Sequence, residues 1–193
     1  MGPQVILLAG PNGAGKSTLA PALLRDTFQL LEYVNADTIA RGLAAFRPED
    51  VAFQAGRIML KRLDELAARR TTFAFEGTLA SRSLAPWIRG LLEQGYRFHL
   101  FFVWLRSPDL AVQRVGERVL NGGHGVPEDV VRRRYRRGAR NLIEVYQPLC
   151  TTWAVYDNSE SATLPVLVAV GGCGVEPVIH QPESWYCLSE AAK

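Results

Sequence analysis

Apolar positions fall along the chain in two kinds of block. Val5-Ile6-Leu7-Leu8-Ala9 is a continuous apolar run closed by glycine, the pattern of a central strand covered on both faces. Thr71-Thr72-Phe73-Ala74-Phe75 leads to Glu76-Gly77-Thr78, and Tyr96 to Leu105 is the most apolar run of all. Thr151 to Asp157 reads as the last core strand, and Leu30 to Asp37 as a short strand with a polar tip. Between these lie blocks of helical period. Val51, Ala55, Ile58, Met59, Leu63 and Leu66 recur at helical spacing after Pro48-Glu49-Asp50, so a helix is predicted from Pro48 to about Arg70. Further helices are predicted from Ser17 to about Arg25 with a bend at Pro21, from Ser83 to Gln94, from Ser107 through Val119, and from Pro127 to about Tyr146. Pro165–Val170 and Pro177–His180 read as a hairpin added at the sheet edge, with Trp185, Tyr186 and Leu188 anchoring the tail.

Strands alternating with helices imply an α/β fold, a mainly parallel sheet with helices on both faces. The length of 193 residues fits one domain, 1–193, with a helical lid over about 107–147.

The turn after the first strand changes the picture from fold to chemistry. Gly10-Pro11-Asn12-Gly13-Ala14-Gly15-Lys16-Ser17-Thr18 has the spacing of a phosphate-binding loop between strand and helix. Its glycines allow the tight curl that makes backbone N–H groups converge on a phosphate chain. Lys16 is placed for the β- and γ-phosphates and the Ser17 hydroxyl for Mg2+. Lys16 is one of three lysines among 22 Lys and Arg residues, so a chain that otherwise prefers arginine places lysine here. ATP and Mg2+ are the expected cofactors. Asp37, at the carboxyl end of the second strand, is a candidate base for an acceptor hydroxyl if that strand lies beside the first; the other reading is an N-cap of a helix beginning at Thr38. Glu76 has the place of a metal-holding or substrate-binding acid, with Thr78 and Arg82 on the same rim.

Arg114 and Arg118 share a helical face, and Arg132, Arg133, Arg134, Arg136, Arg137 and Arg140 crowd the next helix. One of Arg133–Arg137 is expected to reach a transferred phosphoryl group; the rest form a solvated basic face. Nothing aromatic interleaves them and the net charge is only +3, so nucleic acid is not the expected partner. His124, between Gly123 and Gly125, is a candidate phosphate or substrate donor. Three widely spaced cysteines without a C-x-x-C pair argue against a disulfide framework. No apolar run is long enough for a membrane span and no basic leader precedes Val5, so a cytoplasmic protein is expected.

Together Gly10 to Thr18, Asn35-Ala36-Asp37, Phe75-Glu76-Gly77-Thr78, and Arg118 followed by Gly122-Gly123-His124-Gly125-Val126-Pro127 resemble the zeta toxin family of small P-loop kinases, most of all its shorter chromosomal members. The resemblance spans the chain from the phosphate loop to the last core strand. It implies a P-loop kinase-like three-layer sandwich and ATP- and Mg2+-dependent phosphorylation of a hydroxyl. In that family the acceptor is UDP-N-acetylglucosamine, and a protein antitoxin is a partner to look for. By position, Lys16 and Ser17 would bind nucleotide phosphate and metal, and Asp37 would be the base. Glu76 and Thr78 would bind the acceptor, and Arg118 with Arg114 would act on the transferred phosphate. His124 falls where larger members carry a further cation. Those members also place an arginine closer behind Glu-Gly-Thr than Arg82 stands here. The same machinery would serve another alcohol, such as a nucleoside, metabolite or antibiotic; a nucleotide-binding regulatory ATPase is the reading from a different class.

Overall fold

The computed structural model describes residues 2–123, 125–160 and 164–193. The candidate His124 therefore lies outside the described residues. Among the described residues seven strands form one sheet: β1 Gln4–Ala9, β2 Tyr33–Val34, β3 Phe73–Gly77, β4 Arg97–Trp104, β5 Thr152–Asp157, β6 Val166–Gly172 and β7 Val175–Ile179. Their order is β2-β3-β1-β4-β5-β6-β7. The first five pair in parallel, whereas β6 and β7 run antiparallel as the expected edge hairpin. Successive strand residues face opposite sides of a sheet, and Val5 through Ala9 are all buried. Both faces of β1 are therefore covered, which gives the three layers read from the sequence.

The helices are α1 Lys16–Ala20, α2 Ala36–Leu43, α3 Ala52–Ala68, α4 Leu84–Glu93, α5 Pro108–Leu120, α6 Glu128–Asn141 and α7 Pro182–Ala191. Two are longer in sequence than in α geometry. From Pro21 to Thr27 the chain winds as a π-helix, and α6 passes through a π-helical Leu142–Tyr146 into a 3-10 turn at Gln147–Leu149. Pro21 and Pro148 supply no N–H to an α ladder, and the winding changes in both neighbourhoods. The predicted helix at Pro48 begins as a 3-10 turn, Pro48–Val51.

Three expectations are corrected. The second strand does not lie beside the first, because β3 stands between them; the condition attached to Asp37 fails. That strand is only Tyr33–Val34, and the residues after it belong to α2. The N-cap of α2 is Asn35, not Asp37, because the Asn35 side chain accepts from Asp37 N and Thr38 N.

Candidate active site

The carboxyl end of β1 turns directly into the phosphate loop. Gly15 holds φ 83°, in the left-handed region where a Cβ is strained. A Cβ there would also stand 2.7 Å from Asn158 Nδ2 and displace that side chain, so the backbone conformation is what favours glycine and the Asn158 contact adds to it. Among the described residues, the amides of Gly13, Gly15, Lys16 and Ser17 donate no hydrogen bond within the protein. Beside these amides lies the Lys16 ammonium, in a side chain only 7% exposed. Its Nζ donates to Pro11 O at 2.9 Å and lies 3.7 Å from Glu76 Oε1. Burial pushes the Lys16 pKa below its usual value; the Glu76 and Asp37 carboxylates oppose this, and the Arg118 charge adds to it. Loop amides without an acceptor in the protein, together with a buried ammonium, fit a polyphosphate chain.

Glu76 is the hub of the adjoining cluster. Register places it beside Leu8 of β1, so its side chain meets the start of α1. Its Oε2 accepts from Ser17 Oγ at 2.9 Å, Tyr33 OH at 2.6 Å and Asn35 Nδ2 at 2.8 Å. Burial, then the Glu76 charge, holds the Tyr33 phenol above its ordinary pKa, so it stays a donor. Asn35 works in two directions: Oδ1 caps α2, at 2.7 Å from Asp37 N, while Nδ2 steadies Glu76. Ser17 donates to Glu76 at 2.9 Å and accepts from Asn35 Nδ2 at 3.4 Å, which leaves an oxygen lone pair for a hard cation, the ligand chemistry Mg2+ takes. Among the described residues no group of three or more His, Cys, Asp or Glu could form a self-sufficient metal cage. Mg2+ asks for one or two carboxylates completed by phosphate oxygens, and Ser17 with Glu76 meets that requirement.

The other candidates are placed as follows. Asp37 lies in the first turn of α2, close enough for its charge to act on Lys16. Arg118, on α5, also acts on Lys16 through space. Arg114 donates to Asn158 O at 2.6 Å and Ser159 O at 2.9 Å, tying α5 to the loop after β5. Arg82 donates to Asn141 Oδ1 and pairs with Glu144 Oε2, joining the segment after β3 to α6. The Thr78 hydroxyl accepts from Ala80 N at 3.4 Å. In the basic helix, Arg132 is held by Asp109 and Glu128, Arg133 lies 3.9 Å from Asp129, and Arg140 donates to the Ala192 carbonyl. Arg134 reaches the phosphate loop, with Nη1 3.4 Å from Asn12 Oδ1.

Tyr33 and Asn158 have no role in the sequence pattern, and Asn35 enters it only within a motif. The signal for Asn35 was available, since an Asn before a helical run is a capping residue. Neither Tyr33 nor Asn158 carries a one-dimensional signal, because each acts on an element far away in sequence. Next to Tyr33 and Asn35, a groove of about 630 Å3 opens between β2, α2 and α3. Thr38, Ile39, Ile58 and Lys61 are among its other walls.

Residues 5–142 match the family model for the AAA domain. The chain belongs to this AAA domain family. The match runs through every element of the cluster, from β1 through α2 and β3 to α6. Against known proteins, this AAA domain is 29% identical over 132 residues to an uncharacterised protein of Haemophilus influenzae, covering 68% of this chain and 92% of that one. Its fold is shared with a chain of the AvrRxo1-ORF1:AvrRxo1-ORF2 complex solved with sulphate ions, at TM-score 0.79 and 16% identity. That match covers 100% of the present chain, which spans 65% of the AvrRxo1 chain. The Streptococcus pneumoniae PezAT toxin-antitoxin structure matches at TM-score 0.61 and 18% identity, over 86% of this chain and 71% of that one. A gluconokinase from Sinorhizobium meliloti matches at 0.53 and 16%, over 98% and 94%. This AAA domain thus has a P-loop kinase-like fold.

Proposed function

We propose that the protein is an ATP- and Mg2+-dependent phosphotransferase that moves the γ-phosphoryl group onto a hydroxyl of a small molecule. The observation that carries this is the meeting of Lys16, Ser17, Glu76 and the charge of Asp37 at one end of the sheet, beside the groove at Tyr33 and Asn35. The loop amides and Lys16 hold the nucleotide phosphates. Ser17 and Glu76 would hold Mg2+, which when bound would neutralise charge on the phosphates. Asp37 accepts the acceptor's hydroxyl proton as the oxygen bonds to the γ-phosphorus and the bond to the leaving β-phosphate oxygen breaks. Arg118 and Arg134 steady charge on the transferred group, and Thr78 contributes to the acceptor side. In this reading about 107–147 acts as the lid of one domain. Arg114 and Arg82 hold the loops around the site.

The acceptor we assign is UDP-N-acetylglucosamine, on the strength of the motif resemblance. The toxin-antitoxin description of the PezAT neighbour supports looking for a protein antitoxin as well. The test is incubation with Mg·ATP and UDP-N-acetylglucosamine, followed by mass spectrometry of the sugar nucleotide. A phosphorylated product is expected, falling about 100- to 10,000-fold in Asp37→Asn. If a different alcohol from a metabolite extract is phosphorylated, the transferase stands and the acceptor falls. ATP hydrolysis that never yields a phosphorylated acceptor, and that Asp37→Asn leaves intact, overturns the kinase and favours a regulatory ATPase.

A further inference from the structure

The loop after β5 touches the phosphate loop from outside. Asn158 Nδ2 donates to Ala14 O at 2.8 Å. The backbone that carries this side chain is fixed from two directions: Asn158 N donates to Trp104 O at 3.0 Å, and Asn158 O accepts from Arg114 at 2.6 Å. Just before it, the buried Asp157 accepts from Ser159, Arg106 and Ser184. The amide of Asn158 is thus presented by a braced segment joined to β4, α5 and α7.

The consequence follows from the geometry of a peptide unit. In a planar trans peptide, C=O and N–H point in opposite directions. Holding Ala14 O outward on Asn158 turns the Gly15 N–H inward, toward the hollow of the loop. Gly15 can adopt either sign of φ at low cost, so its own backbone does not enforce this orientation. If the Ala14–Gly15 peptide flipped, a carbonyl oxygen would replace an N–H in the face offered to phosphate, and oxygen would repel oxygen.

We propose that Asn158 is a positioning residue for the nucleotide phosphates, holding the Ala14–Gly15 peptide so that its N–H faces them. The inference rests on the reading of the loop as a nucleotide site. Calorimetric binding of ATP and of inorganic tripolyphosphate, with the melting temperature of each variant, tests it. Asn158→Ala is expected to weaken both ligands alike, by about tenfold, the effect of one lost hydrogen bond. Asn158→Asp keeps the shape but offers only acceptor oxygens to Ala14 O, so it should weaken both further than alanine does. Loss for ATP alone would mean that Asn158 contacts the base, and overturns the proposal. So does a lowered melting temperature with unchanged affinity, which marks a purely structural residue. If wild type binds neither ligand and Lys16→Ala changes nothing, the nucleotide reading fails, and this inference falls with it.

Discussion

At the scale of single residues, the site is governed by how many donors one oxygen receives. Glu76 Oε2 takes three, from Ser17, Tyr33 and Asn35, and that fixes the carboxylate in place. Removing one donor to a charged acceptor costs on the order of 1.5–3 kcal/mol where nothing replaces it. Tyr33→Phe is therefore expected to raise the Mg2+ concentration for half-maximal phosphoryl transfer about tenfold, with a smaller effect on the rate at saturating Mg2+. A Mg2+ titration at fixed ATP checks this; an unchanged midpoint would leave Tyr33 as groove wall alone. That Lys16, Ser17 and Glu76 come together was legible because each stands at or just beyond the carboxyl end of an apolar strand. Tyr33 was not, because its partner is 43 positions away and a tyrosine in a strand is an ordinary packing residue. Arg82 and Arg114 show the limit in the other direction. An arginine near a site can brace a loop as readily as touch a phosphate, and charge patterning does not separate the two.

At the scale of elements, the contact between α6 and the segment after β3 is set by a missing side chain. A Cβ on Gly138 would stand 2.7 Å from the Thr78 carbonyl oxygen. Gly138→Ala should therefore destabilise the fold by about 1–3 kcal/mol, although alanine is the better helix former by about 1 kcal/mol. A shift in the denaturation midpoint measures it; a gain in stability would show that helix propensity outweighs the close approach. The long periodic helices and apolar strands were readable from the sequence to within a few residues. The short helices were not. α2 has eight residues; a helix there entered only as the other reading of Asp37, beginning at Thr38, whereas it starts at Ala36 and the predicted strand ran on to Asp37. α7 was read only as tail anchors at Trp185, Tyr186 and Leu188, although Pro182 at its start and Glu183 in the first turn were available signals. It is held by tertiary contacts that a local reading does not see. Trp185 stacks on Trp153 with centroids 5.7 Å apart, and Leu188 is fully buried. Leu188→Ala should cost about 2–5 kcal/mol, read as a lowered melting temperature.

On the scale of the whole molecule, Asp157 joins parts that are distant in the chain. Burial alone would raise its pKa, but hydrogen bonds from Ser159, Arg106 and Ser184 outweigh this and hold the carboxyl below its ordinary 3.8. A lowered folded value means stability that is present above about pH 4 and lost as pH falls through the folded value. Wild type should lose stability in that acid window more steeply than Asp157→Asn, as measured by denaturant unfolding at several pH values. Equal slopes would remove Asp157 from the account. The class of fold was legible because alternating strands and helices leave few topologies. The strand order was not, and it is strand order that puts β3 rather than β2 against the phosphate loop.

That order also has a consequence in time. β1 is the first strand in the sequence and lies third in the sheet, with neighbours that begin at Phe73 and Arg97. During synthesis Val5–Ala9 waits for most of the first hundred residues before both of its edges are paired. Sheets closed by such distant partners form slowly, and an uncovered apolar strand is a hazard for aggregation meanwhile. The phosphate loop hangs from this strand, so its competence to bind comes late in folding, after β3 and β4 have closed around it.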